Sequence, residues 1–211
     1  MQDTVAMAKS SRQWLHRQSR DPYARRAREA GYRSRAAFKL LGIDAKDRLL
    51  LPGMTVVDLG AAPGSWSQVA AGKVRPGGKV IAIDLLEIAP ISGVTVLRGD
   101  IREGAALTAL RGECADVVLC DVSPNLSGIA ATDQARSAEL ARAAIEFCRR
   151  ALKPQGAFLV KAFQGAEFAS VLAEMKRAFR EVTVRKPAAS RGESRETYLL
   201  ARGLLCPAKT A

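Results

Sequence analysis

The stretch Thr55-Val56-Val57-Asp58-Leu59-Gly60-Ala61-Ala62-Pro63-Gly64-Ser65-Trp66 decides the architecture. A short apolar run rich in β-branched residues ends beside an acid, turns through two glycines and enters a segment of helical character. Such a run suits a strand buried on both faces, as in parallel sheets. Ligands of open α/β sheets sit beyond the carboxyl ends of such strands, where the next helix begins. Gly60 and Gly64 remove β-carbons where the chain must turn tightly and approach a ligand. The dinucleotide fingerprint does not fit, because Ala62 stands where its second glycine admits a pyrophosphate. The loop suits a nucleoside that lacks one.

The same rhythm continues downstream. Apolar runs at 55–59, 79–83, 94–97, 117–120 and 157–160 predict buried parallel strands, with helices over 65–73, 102–110, 133–152 and 166–179. Strands near 181–184 and 197–201 follow with no helix between them, which predicts a terminal antiparallel hairpin. The expected fold is α/β and Rossmann-like: a seven-stranded, mostly parallel sheet with a terminal antiparallel strand and helices on both faces. Upstream, Asp21-Pro22 reads as an N-cap and first helical position, opening a basic helix that Gly31 stops. Ser34 is placed to cap a second helix from Arg35 to about Asp47, with Phe38, Leu40 and Leu41 inward. The opening dozen residues lack periodicity and predict flexible chain. Without repeats or a Pro/Gly-rich linker, the organisation is a basic helical extension (1–50), a catalytic domain (51–203) and a flexible tail (204–211).

A net charge of +12 and a pI near 10.1 predict attraction to a polyanion. Residues 1–39 carry +7 of that excess, and Arg185, Lys186, Arg191 and Arg195 form a second cluster. No strongly apolar helical face accompanies the arginines, which argues against a membrane surface. The absence of a ~20-residue apolar span and of a signal-type apolar segment predicts a cytoplasmic protein. The four cysteines form no Cys-x-x-Cys pair and the single histidine is His16, so free thiols and no metal site are expected.

Acids stand at successive strand ends. Asp84 closes the second strand, where a carboxylate suits two ribose hydroxyls. Asp100 follows the third and is placed to accept from an exocyclic adenine amine; Asp121 follows the fourth. The ordered set of glycine turn, Asp84, Asp100 and Asp121 points to S-adenosylmethionine as cofactor. The fourth strand runs into Asp121-Val122-Ser123-Pro124-Asn125, where amino-group methyltransferases often carry an aromatic after the proline; its absence argues against a base-amine target. The fifth strand closes on Val160-Lys161, and a lysine ending an apolar strand needs a partner. The plain alternative is a snorkelling amine or a structural ion pair.

Several separated motifs, in order, resemble the FtsJ/RrmJ methyltransferases: Asp21-Pro22-Tyr23, Tyr32-Arg33-Ser34-Arg35-Ala36-Ala37-Phe38-Lys39-Leu40, Asp58 through Gly64, Asp121 through Asn125, and Val160-Lys161. The likeness runs from about residue 12 to 202. It implies a catalytic set of Lys39, Asp121, Lys161 and Glu196, and cofactor contacts at Gly60, Gly64, Trp66, Asp84, Asp100 and Asp121. It further implies 2′-O-ribose methylation of a uridine in the A-loop of 23S ribosomal RNA, within the assembled large subunit. Ser65 departs from the family's usual second glycine and is placed to cap the helix that follows.

The chemistry accounts for these residue types. A ribose 2′-hydroxyl is a weak acid, so a base must take its proton, and a lysine must be tuned down to serve. Burial and a neighbouring cation, Lys39, disfavour the ammonium of Lys161, the expected base. Asp121 is expected to orient Lys161 near the methyl donor, Lys39 to position the ribose or its phosphate, and Glu196 to support the network. On the RNA side, Arg25, Arg26, Arg28, Arg33 and Arg35 are candidates for phosphate contacts. Aromatics make up only 5% of the chain, so recognition should rest on RNA shape and backbone rather than base stacking. A transfer-RNA 2′-O-methyltransferase of the same family and a non-catalytic ribosome-assembly factor are the competing readings. Nothing demands more than a monomer.

Overall fold

All five residues of β1 (Thr55–Leu59) are buried, and the strand lies centrally in one seven-stranded sheet ordered β3-β2-β1-β4-β5-β7-β6. The computed structural model describes residues 21–123, 128–191 and 194–205. Its helices are α1 (Pro22–Glu29), α2 (Ala37–Asp47), α3 (Ser65–Lys73), α4 (Ala105–Ala109), α5 (Ala130–Ala151) and α6 (Phe168–Ala178). The remaining strands are β2 (Lys79–Asp84), β3 (Val94–Arg98), β4 (Ala115–Cys120), β5 (Leu152–Phe163), β6 (Phe179–Arg185) and β7 (Glu196–Leu204). Strands β1 to β5 pair in parallel, and β7 runs antiparallel to both its neighbours.

The expected α/β sheet is present. The last two strands form the expected antiparallel hairpin, with the last of them inserted between β5 and β6. Burial explains the order. β7 presents the apolar run Tyr198-Leu199-Leu200-Ala201, buried throughout, whereas most residues of β6 are exposed or half-buried, as an edge strand tolerates.

Side chains alternate between the two sheet faces. Val57, Leu59, Val118, Phe158 and Val160 pack in the core shared with α4, α5 and α6. Val56, Val117, Leu119, Ala157, Leu159 and Leu200 pack in the other, shared with α2 and α3. Strand parity therefore aims Asp58 and Lys161 at the α2–α3 face, and puts Glu196 and Tyr198 on the same face of β7.

Local signals act much as expected at α1: Asp21 Oδ1 accepts from the amides of Tyr23 (3.0 Å) and Ala24 (3.3 Å), with Pro22 at the first turn. Gly31 follows the helix at φ +74°. Three expectations need correction. Helix α2 starts at Ala37, because Ser34 Oγ accepts from the Ala36 amide at 3.2 Å in a preceding turn instead of capping the helix. Its inward face is Ala37, Leu40 and Ile43; Phe38 and Leu41 are only half-buried, with Phe38 against the rings of Tyr23 and Tyr32. Helix α4 is likewise shorter than 102–110, since Gly104 takes φ +80° and breaks the first turn. The opening dozen residues, His16, Cys206 and the greater part of the tail lie outside the described residues. Among those described, Cys120 and Cys148 are buried, with burial pushing the Cys120 thiol up to about 12, and Cys114 is exposed. No described helix is long and apolar enough to cross a membrane, and no described cluster could hold a metal ion.

Candidate active site

The turn after β1 is shaped by close approach. Gly60 takes φ +70°, and a β-carbon there would lie 2.5 Å from Val122 Cβ. Gly64 takes φ +103° at the start of α3, and a β-carbon there would lie 2.6 Å from Ile91 Cδ1. Gly64, not Ser65, occupies the N-cap position; Ser65 is the first helical residue and its Oγ bonds Ser34 Oγ at 2.7 Å. The expected serine cap is thus replaced by a tie between this helix and the chain leading into α2. A concavity beside the turn is lined by Asp58, Gly60, Ala61, Ser65, Trp66 and Asp121, among others.

Asp58 is fully buried there. Ser67 Oγ donates to its Oδ2 at 2.6 Å, while Oδ1 is the one buried side-chain polar atom among the described residues without a partner. Burial, reinforced by the charges of Asp121 and Asp84, pushes its carboxyl up to about 7 against the Ser67 hydrogen bond. A buried acceptor with no donor is expensive unless a ligand supplies one. The orphaned oxygen, the β-carbon-free turn and the amides entering α3 fit a nucleoside carrying a cationic amino-acid tail, as S-adenosylmethionine does.

Asp84 lies nearby, its Oδ2 accepting from the Ala62 amide and its Oδ1 from the Leu86 amide at 2.9 and 2.8 Å. Asp100 is engaged by exposed Arg102 through backbone and guanidinium bonds, which hold its carboxyl down at about 2. The Trp66 side chain is deeply buried, with its indole N–H donating to Ala36 O at 2.8 Å.

Two ion pairs lie on the same sheet face, the first of them sharing Asp121 with this concavity. The Lys161 side chain, 6% exposed, pairs with Asp121 Oδ1 at 3.0 Å and donates to Asp121 O at 2.7 Å and to Ser123 Oγ. Lys39 reaches from α2 to Glu196 Oε2 at 2.7 Å, and Ser190 donates to the other oxygen of Glu196 at 2.9 Å. Tyr198 joins the pairs. It lies opposite Lys161 in the β5–β7 register, donates to Asp121 Oδ1 at 3.0 Å, and has Lys39 Nζ 5.8 Å from its ring centroid. Burial, with the charges of Asp121 and Glu196, pushes its phenol well above the ordinary range. The four residues expected from the sequence are therefore arranged as two cation–acid pairs with a tyrosine between them.

Asp58, Ser123, Ser190 and Tyr198 also belong to this arrangement, beyond the residues expected from motif and spacing. Two of these carried a signal: Asp58 is an acid inside an apolar strand, and Tyr198 shares the strand face of Glu196. Nothing local marked Ser190, whose contact depends on how the loop before β7 folds.

The five candidate RNA-facing arginines divide. Arg25, Arg26 and Arg28 are exposed on α1. Arg33 instead binds the carbonyls of Pro63 and Pro90 at 2.8 and 2.9 Å, bracing the glycine turn. Arg35 pairs with Asp21 and bonds Ala189 O, so a phosphate would compete with internal partners at both. In the second basic cluster, Arg185 grips Asp47 through two nitrogens at 2.7 and 2.6 Å.

A parallel sheet with an inserted antiparallel strand, a glycine turn beside its first strand and acids at successive strand ends define a methyltransferase architecture. The FtsJ-like methyltransferase family model matches residues 32–204. Similar curated proteins include the ribosomal RNA large subunit methyltransferase E of Nitrosospira multiformis, 50% identical over 199 residues spanning 92% of this chain and 97% of that one. The protein of that name from Thiobacillus denitrificans is 52% identical, spanning 92% of this chain and 90% of its own. Among solved structures, a Plasmodium falciparum chain assigned as a ribosomal RNA methyltransferase superposes with a TM-score of 0.75 at 28% identity, covering 83% of this chain and 100% of that one. Aeropyrum pernix fibrillarin, solved with natively bound S-adenosyl-L-methionine, shares the fold with a TM-score of 0.57 at 16% identity, over 81% of this chain and 75% of its own. The chain belongs to the FtsJ-like methyltransferase family.

The lone orphaned oxygen makes a prediction about stability. Asp58 binds its proton more tightly in the folded protein (about 7) than in the unfolded chain (3.8), so raising the pH through that window favours unfolding. The neighbouring groups that set this are Asp121, Asp84 and Ser67. From pH 5 to 7.5 the ligand-free protein should lose on the order of 2 kcal/mol relative to Asp58→Asn, read by denaturant titration at each pH. Parallel pH profiles for the two proteins would mean that Asp58 is already ionised at pH 5.

Proposed function

We propose that this protein methylates ribose 2′-hydroxyls of ribosomal RNA, using S-adenosylmethionine, and that it acts as a monomer in the cytoplasm on the large ribosomal subunit. The observation that carries the reading is the double position of Asp121, which both lines the concavity beside the glycine turn and pairs with buried Lys161. Methyl donor and base are thereby held at one carboxylate. The names of the curated relatives favour ribosomal RNA over transfer RNA, and by the family likeness the nucleotide is a uridine of the 23S A-loop.

Gly60, Gly64, Trp66, Asp84, Asp100 and Asp121 would hold the cofactor, with Asp58 receiving its ammonium. Bound there, S-adenosylmethionine supplies a methyl group on a positively charged sulfur. Lys161 takes the proton of the 2′-hydroxyl, Asp121 orients the amine, Lys39 positions the ribose or its phosphate, and Glu196 holds Lys39. Tyr198 keeps the two pairs in register. Such alignment of donor and acceptor supplies a large share of the acceleration. Arg25, Arg26 and Arg28 supply phosphate contacts beside the cleft, with affinity that falls as salt rises.

Labelled methyl transfer to a panel of large subunits, naked ribosomal RNA and transfer RNA tests the substrate. Large subunits should accept label best. Transfer RNA labelled alone would overturn the ribosomal assignment, and no labelling with cofactor bound would favour the assembly-factor reading.

A further inference from the structure

Lys161 Nζ has three partners: Asp121 O, Asp121 Oδ1 and Ser123 Oγ. An ammonium has three protons to donate, so this arrangement satisfies the charged lysine completely. A base needs a lone pair. Once the amine is neutral it has two protons and one lone pair, and one partner must change from acceptor to donor or be left facing it. The carbonyl of Asp121 accepts only, and so does its ionised carboxylate. Of the three partners, the Ser123 hydroxyl alone can reverse, because it both donates and accepts. Its position matters too: Ser123 is exposed, Asp121 half-buried and Lys161 buried, so the serine is the most open of the three residues.

We propose that Ser123 relays the proton from the ribose 2′-hydroxyl to Lys161; this rests on the reading of Lys161 as the base. In the reactive form a neutral amine accepts from Ser123 Oγ–H and donates to the two Asp121 oxygens. As the 2′-oxygen forms its bond to the methyl carbon, the carbon–sulfonium bond breaks and its electron pair stays on sulfur. The 2′-proton passes to Ser123 Oγ while the hydroxyl's own proton passes to Lys161 Nζ. The resulting ammonium is held by the same three acceptors until water removes the proton. Serine is thereby restored in each turnover, and the amine never has to leave its buried position.

Single-turnover methyl transfer in mixtures of light and heavy water tests this for the parent protein, Ser123→Ala, Ser123→Thr and Lys161→Met. Two protons moving together should give the parent a curved dependence of rate on deuterium fraction. Ser123→Ala should be slower by about tenfold or more, lose the curvature and bind cofactor as the parent does. Ser123→Thr keeps a hydroxyl and should recover most of the rate. A Ser123→Ala protein with the parent's rate and curvature would overturn the relay; if Lys161→Met were inactive in the same experiment, the base assignment would stand without it. Parent-like rates for Lys161→Met would remove the base, and the relay with it.

Discussion

Lys161→Met is expected to lower the single-turnover rate of methyl transfer by about 10²- to 10⁴-fold, the range over which a positioned general base contributes. Methionine keeps an unbranched side chain of similar length, so the apolar end of β5 stays filled. Asp121 keeps the Tyr198 hydrogen bond at 3.0 Å when the amine is gone. The carboxylate that lines the concavity should therefore remain in place, and cofactor affinity should change little. The rate and the affinity must be measured separately, by rapid-quench transfer and by equilibrium titration. A large fall in both would point to a collapsed site rather than a missing base. Near-normal turnover with normal cofactor binding would contradict the assignment.

Gly60→Ala should be strongly damaging for so small a substitution. The residue has φ +70°, and its new β-carbon would lie 2.5 Å from Val122 Cβ and 2.9 Å from Val122 Cα. The backbone conformation alone costs an L-residue about 1–2 kcal/mol, and a forced shift in a packed region adds roughly 1–3. Something must move, and both candidates matter: the turn that approaches the cofactor, or the segment immediately after Asp121. Together these should lower the thermal midpoint by roughly 5–10 °C and cut cofactor affinity by at least about tenfold, a loss of ~1.4 kcal/mol in binding. A parent-like melting temperature and affinity would show that the close approach of Gly60 to Val122 is not needed.

The sheet was legible because parallel strands write themselves as short apolar runs between helical segments. β3 was read as buried like the others, yet it is an edge strand and is half-buried or exposed at every position. The pairing order at its end was not read, although the contrast between the apolar Tyr198-Leu199-Leu200-Ala201 and the exposed β6 marks which strand lies inside. Helix starts were the weakest part. Ser34 and Ser65 both have capping chemistry, yet the two hydroxyls bond one another across 31 residues of sequence, a long-range choice invisible to a local rule. The lysine and acid positions came from ordered motifs, and strand parity explains why they converge. The pairing followed in part: Asp121 stands beside Lys161 at 3.0 Å as expected, whereas Lys39, expected as a cation acting on Lys161, turns its side chain to Glu196 at 2.7 Å. Arg33 and Arg35 show the same limit, since charge composition cannot separate a guanidinium facing solvent from one bracing a turn.

The methyl group is expected on a ribose oxygen. Ribosomal RNA labelled by this protein should be hydrolysed with alkali and its fragments separated by charge. A 2′-O-methyl group blocks cleavage of the adjoining phosphodiester, so label should be found in alkali-resistant dinucleotides and should disappear with Lys161→Met. Label recovered in mononucleotides would place the methyl group on a base and contradict it.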